Sequence, residues 1–200
     1  MTWGPSQQTI SRIIKETVYA LSDVHVLRRF IQFPRTQQET NVKQREFRQI
    51  AGLSGVIGAI DGTHIKILAP KEFEAEYVNR KKQHSINVQV VLDSHYKFLD
   101  IVARWPGSVH DARILRESEL FSFFERGCVP AGCHLLGDSG YPSQRWLLTS
   151  YLRPLPGPQT NYNRYVFHNI HYIHDYMLTC SLYCHPWGEN IDQCNERKIL

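Results

Sequence analysis

The sequence has no apolar run near the roughly 18 residues that a membrane-spanning helix needs. Its start, Met1-Thr2-Trp3-Gly4-Pro5-Ser6, has no basic segment leading into an apolar stretch, so neither insertion nor secretion is expected. The five cysteines (Cys128, Cys133, Cys180, Cys184 and Cys194) are odd in number and crowd toward the end. That makes a poor disulfide framework and fits a reducing, intracellular compartment. Internal repeats and long low-complexity tracts are missing as well. Charge of one sign is not dominant: the net +4 is modest. Lys and Arg are nevertheless bunched at Arg28-Arg29, at Lys43/Arg45/Arg48 and at Arg80-Lys81-Lys82, which suits contact with a polyphosphate as well as plain solvated surface.

What is present is enough for one folded core. Two hundred residues can bury an apolar interior. Ser6 is a good N-cap, and Ile10, Ile13, Ile14, Val18 and Leu21 recur at helical spacing, so a helix is predicted over 6–21. Further helices are predicted over about 23–32, stopping before Phe33-Pro34, and about 37–50, ending at Ala51-Gly52. After Gly55 the period becomes strand-like. Val56–Ile60 and His64–Leu68 read as one bent strand or two short ones. Ser85–Val91 alternates, with Ile86, Val88 and Val90 on one face and Ser85, Asn87 and Gln89 on the other. Asp93-Ser94-His95-Tyr96 has turn character before a strand at Phe98–Ala103, which predicts an antiparallel hairpin. Helix is predicted over about 109–124, a short buried strand at Leu135–Gly137, and helix again over Ser143–Ser150. Pro154-Leu155-Pro156-Gly157-Pro158 breaks regular structure, and the segment beyond it has weak periodicity.

Three aspartates stand where strand-like runs meet turns: Asp61 in Gly58-Ala59-Ile60-Asp61-Gly62-Thr63-His64, Asp111 in Pro106-Gly107-Ser108-Val109-His110-Asp111, and Asp138 in Leu135-Leu136-Gly137-Asp138-Ser139-Gly140-Tyr141. Half-burying an acid at a strand end is costly unless a cation, hydrogen bonds or water compensates it, and hard divalent cations suit carboxylate oxygens best. A metal site of Asp61, Asp111 and Asp138 is therefore expected, with phosphodiester chemistry as its use. Turn formation or helix capping is the plainer role for each, Asp111 above all. His64 and His110 flank the acids and read either as structural residues or as aids to proton transfer. Arg80, Lys81 and Lys82 are the candidate nucleic-acid contacts, with Tyr77 nearby for stacking. The tail pattern of His171, His174, Cys180, Cys184 and His185 is too tightly spaced for a zinc finger.

The words around those acids, with Tyr77-Val78-Asn79-Arg80-Lys81, His84-Ser85-Ile86-Asn87-Val88-Gln89 and Arg104-Trp105, resemble the PIF/Harbinger-type transposases and the nucleases derived from them, from about residue 6 to about 163. The resemblance implies an α/β (α+β) fold: a ribonuclease H-like mixed sheet flanked by helices and preceded by a small helical segment. It implies a metal-dependent DNA nuclease in which Asp61 and Asp138 are two catalytic acids, Asp111 is a further metal-associated carboxylate, and the cofactor is Mg2+ or Mn2+. Two such cations grip the attacking and leaving oxygens, so one carboxylate bridges them, and Asp61 is the expected bridge. DNA is the implied partner, a Myb-like DNA-binding protein a second, and self-association stays open; nucleus and cytoplasm are the implied locations.

The segment organisation expected from these words is a partial helix-turn-helix over 1–52, an incomplete nuclease core over 53–163 and a divergent tail over 164–200. The family's third acid, a Glu, has no counterpart in its usual surroundings; Asp175 is the nearest substitute. The alternative function is thus an inactive remnant, truncated at both ends, that still binds DNA or a Myb-like partner.

Overall fold

The computed structural model describes residues 4–166 and Ile170. The chain divides into two units, Met1–Gln32 and Phe33–Leu200. In the first, α1 (Gln7–Leu21) starts where Ser6 accepts a hydrogen bond from the Thr9 N–H, and α2 (Val24–Phe30) starts at Asp23, which accepts from the His25 N–H. These caps satisfy N–H groups that have no partner within the helix. No described helix is long and apolar enough to cross a membrane.

The second unit opens with α3 (Gln37–Ala51), held at its start by a reciprocal capping box between Thr36 and Glu39 and ended by Gly52 at a positive φ of 69°. Five strands follow: β1 (Val56–Lys66), β2 (Ser85–Leu92), β3 (Phe98–Pro106), β4 (His134–Gly137) and β5 (Leu147–Thr149). Helices α4 (Asp111–Arg116) and α5 (Glu119–Glu125) lie between β3 and β4, and α6 spans 158–166. The sheet order is β3-β2-β1-β4-β5. The first three strands run antiparallel as a meander, while β4 and β5 run parallel to β1. This mixed order is the ribonuclease H-like arrangement, an α+β sheet flanked by helices.

Both faces of the sheet are covered. A bulge between Val56 and Gly58 shifts the alternation of β1. From there Ile60 joins Val91, Leu115, Leu120, Phe124, Leu135 and Trp146 beneath α4 and α5. Ala59 joins Val90, Leu92, Leu136, Phe47 and Val166 beneath α3 and α6. Cover on both faces buries even the polar side of β2.

Two predicted elements differ. The helix expected over Ser143–Ser150 is instead loop plus strand β5, because Leu147 and Leu148 fill a parallel register beside Leu135 and Leu136. Tertiary pairing outweighs a weak local preference there. The helix expected over about 109–124 is two short helices. Ser118 interrupts them, donating to the Leu115 carbonyl at 2.6 Å and accepting from the Phe121 N–H as the cap of α5.

Candidate active site

The register of the sheet sets where the acids stand. Ile60 pairs with Gly137 in the parallel β1–β4 ladder, so Asp61 and Asp138 are the next residues of adjacent strands. Neighbouring strands lie about 4.8 Å apart, which brings the two positions side by side. Asp61 is buried at 6 % exposure, and its Oδ1 accepts from the Gly62 N–H at 2.8 Å. Asp138 accepts from the Gly140 N–H at 2.9 Å, an aspartate turn that ends β4.

Asp111 arrives from a different segment. It begins α4, with His110 as the cap residue. Its carboxylate lies directly over Gly62: a Cβ built there would meet Asp111 Oδ1 and stand 2.8 Å from its Cγ. A point above Gly140 is 3.0 Å from Asp138 Oδ1 and 3.6 Å from Asp111 Oδ2, so these two carboxylates flank one small volume. Asp61 alternates with Gly62 along β1 and so reaches this end of the sheet from the other face. All three acids act on Tyr141, whose hydroxyl is pushed well above the usual tyrosine range by burial first and then by Asp111, Asp61 and Asp138.

Residues not singled out as site members complete this end of the sheet. Asn87 pairs with His64 and Gln89 with Gly62 across β1 and β2, on the same face as Asp111. The Asn87 Nδ2 donates to Asp111 Oδ1 at 2.8 Å and to the Val109 carbonyl at 2.9 Å, anchoring the acid and the turn before it. Tyr141 packs its ring toward Ile60 and Gly137. The signal for Asn87 and Gln89 was visible as the polar side of the alternating strand, but alternation alone reads as a solvent-facing row.

The basic turn also comes to this end. Asn79, itself buried, accepts from the Lys81 and Gln83 N–H groups with its Oδ1 and donates to the Ser85 hydroxyl at 3.0 Å. The same hydroxyl lies 3.1 Å from His64 Nδ1. Arg80 donates to His110 Nδ1, which places a guanidinium next to the residue preceding Asp111. His64 is held below the ordinary histidine range because burial outweighs the pull of Asp111, with Lys81 and Arg80 adding to the depression. Lys82 is exposed at a positive φ of 59° in the turn. Gly107 allows the chain to pass: a Cβ there would stand 2.7 Å from the Ser85 carbonyl oxygen and 2.8 Å from that of Tyr77.

The tightest acidic group lies elsewhere. Among the described residues, Glu46, Asp93 and His95 form the one set of three ligand-type side chains with ligand atoms within 4.8 Å of one another; Asp61, Asp111 and Asp138 stand wider apart. Lys43 already occupies that set, its ammonium 2.8 Å from Asp93 Oδ2 and 3.1 Å from Glu46 Oε2. Lys43, one of the basic residues considered for phosphate contact, is thus committed to an ion pair. Asp175 and the His and Cys residues of the tail lie outside the described residues.

A ribonuclease H-like sheet with acids at adjacent positions of its central parallel pair, and a further acid opening the helix above them, defines the class of a DDE-type enzyme core. The profile of the family described as DDE superfamily endonuclease matches residues 60–183. The chain belongs to that family. The match runs past residue 163, where the recognisable words stop, and so includes Asp175. "Putative nuclease HARBI1" of Rattus norvegicus is 39% identical over 161 residues, covering 80% of this chain and 45% of its own. The protein of the same name from Mus musculus is 40% identical over 165 residues, with the same coverage. "Protein ALP1-like" of Arabidopsis thaliana is 32% identical over 178 residues, covering 82% of this chain and 43% of its own. The chain therefore spans less than half the length of these curated relatives. No solved structure matches it.

Proposed function

We propose that this chain carries the catalytic core of a divalent-metal-dependent DNA nuclease that hydrolyses phosphodiester bonds. The observation that carries the reading is the register that sets Asp61 beside Asp138, together with the Gly140 position that Asp138 and Asp111 both flank, in a chain of the DDE endonuclease family. The donor set fits the group: carboxylate oxygens are hard ligands, suited to Mg2+ or Mn2+. Asp138 is the best supported shared member, since it neighbours Asp61 in register and Asp111 across Gly140. Asp175, inside the matched span, is the candidate for the remaining acid.

Bound there, a divalent cation would neutralise charge on the attacked phosphate and acidify water. The chain's own residues do the rest. Asn87 fixes the Asp111 carboxylate, and Gly62 gives it room. Arg80, next to His110, and Lys81, within electrostatic reach of His64, supply positive charge for a phosphate backbone on the approach side. Lys82 extends that charge into solvent. His64 stays neutral near pH 7, so it adds no repulsion toward a cation.

Nicking of supercoiled plasmid in Mn2+ tests the reading. The chain is expected to convert plasmid to open circles, and Asp61→Ala and Asp138→Ala to lose at least about 100-fold in rate, equivalent to about 2.7 kcal/mol of transition-state stabilisation. Equal rates in all three proteins would remove the assignment.

A further inference from the structure

Beside Asp111, buried polar atoms go without partners. Gln89 is 0 % exposed, and neither its Nε2 nor its Oε1 meets a hydrogen-bond partner among the described residues. Asn87 is 2 % exposed; its Nδ2 is spent on Asp111 and Val109, and its Oδ1 is left unpaired. Turning the amide over would set an oxygen against two acceptor oxygens, so the orphan cannot be exchanged away. Tyr141 is 3 % exposed with its hydroxyl unpaired. An unmade buried polar group costs about 1–3 kcal/mol, and native proteins hold few of them. Here three of the residues concerned border one acid.

Their placement points inward. Gln89 stands directly across from Gly62, whose missing side chain is the space over which the Asp111 carboxylate lies. Cross-strand partners place their Cβ positions about 5 Å apart on the same face, so the Gln89 amide starts within reach of that carboxylate. Burial keeps all three residues away from a DNA backbone. The groups that can reach them are small, oxygen-bearing and able to both donate and accept, which describes water.

We infer that Asn87, Gln89 and Tyr141 form a buried polar cradle beside Asp111 that holds ordered water belonging to the shell of a divalent cation, and so set cation affinity without touching substrate. The inference rests on the metal-site reading above and extends it to residues behind the carboxylates. Groups that orient ligands from behind typically change metal affinity 10–100-fold when removed. Gln89→Met keeps length and volume while removing both amide atoms.

Calorimetric titration of the whole chain with MnCl2 tests this, comparing the unchanged protein with Gln89→Met, Tyr141→Phe and Asp138→Asn. The expected result is a Kd raised roughly 10–100-fold by Gln89→Met and several-fold by Tyr141→Phe, with circular dichroism and Tm unchanged or Tm raised. A purely structural role would lower Tm and leave the Kd alone. If Asp138→Asn loses binding while Gln89→Met stays within twofold of the unchanged protein, the cradle is refuted and the metal site survives. Should Gln89→Met not fold, Tyr141→Phe decides alone, a Kd within twofold overturning the inference. If Asp138→Asn binds as well as the unchanged protein, the metal-site reading fails and takes the cradle with it.

Discussion

Two acidic groups lie along the same sheet and are built in opposite ways. Around Asp93, three residues further along β2 than the position facing Asp61 and so about 10 Å away, every charge is answered. Asp93 Oδ1 accepts from the His95 and Lys97 N–H groups, and its Oδ2 takes the Lys43 ammonium. Burial pushes the Asp93 carboxyl up, yet the Lys43 bond and those N–H groups outweigh it and hold it below the usual range. Around Asp111 the acids stand wider apart, and among the described residues the side-chain Oδ1 of Asn87, both amide atoms of Gln89 and the Tyr141 hydroxyl are buried without a partner. The compact cluster ties the hairpin to α3; the open one is the proposed cation site.

Asp100 on β3 shows a third outcome. Among the described residues it has neither lysine nor companion acids and its buried Oδ2 has no partner, and burial raises its carboxyl to about 6, with the Ile101 N–H opposing. A lysine, a proton and, as proposed, a divalent cation are three ways for one sheet to accommodate a buried carboxylate.

The contrast can be broken by stability measurements. Lys43→Met should have the largest effect, about 2–4 kcal/mol of destabilisation in urea unfolding, because Asp93, whose side chain is 1 % exposed, is left charged and unpaired. An unchanged midpoint would mean that the ammonium is not what stabilises that end. The same ion pair sets a pH response: with its folded pKa depressed, Asp93 contributes stability that is present above about pH 4 and is lost as pH falls through the folded value. Gly107→Ala should cost about 2–3 kcal/mol, since two of the three clashing oxygens, those of Ser85 and Tyr77, are backbone carbonyls and the turn leading to Asp111 must shift. A loss below 0.5 kcal/mol would show that this turn yields freely.

Asp100→Asn should stabilise by about 1–3 kcal/mol at pH 8. The folded state holds its proton up to about pH 6 and the unfolded chain only to about pH 4, so the parent protein loses stability as pH rises through that window. The variant should lack that slope in melts from pH 4 to 8; a retained slope would assign it to another group. Asp111→Asn should have the smallest effect, from no change to about 1 kcal/mol of stabilisation, because it relieves like charge while keeping the oxygen that Asn87 binds. A marked loss of stability would place Asp111 in the same structural class as Asp93.

Much of this was legible from residue pattern, for stated reasons. The helix start at Ser6 follows from a side chain that caps, and the β2–β3 hairpin follows from Asp93 and the turn residues after it. The three aspartates stood out because half-buried acids are costly, although Asp61 stands within the unbroken strand β1 and not at a strand end. β5 was not legible: Leu147-Leu148-Thr149 becomes a strand only because β4 offers a parallel edge, a fact held elsewhere in the chain. Gln89 was read as one of a polar row and not as a buried site residue, because alternation shows which side chains share a face but not whether a helix covers it. The role of Lys43 was hidden too, since its partner Asp93 lies fifty residues away.

The most direct test is an anomalous difference map from crystals of the chain grown with MnCl2. The account predicts manganese peaks beside the middle of β1 and the end of β4, among Asp61, Asp111 and Asp138, with the Lys43 ammonium still seated between Glu46 and Asp93. A peak at Glu46, Asp93 and His95 with Lys43 displaced, and none among the three aspartates, would contradict it.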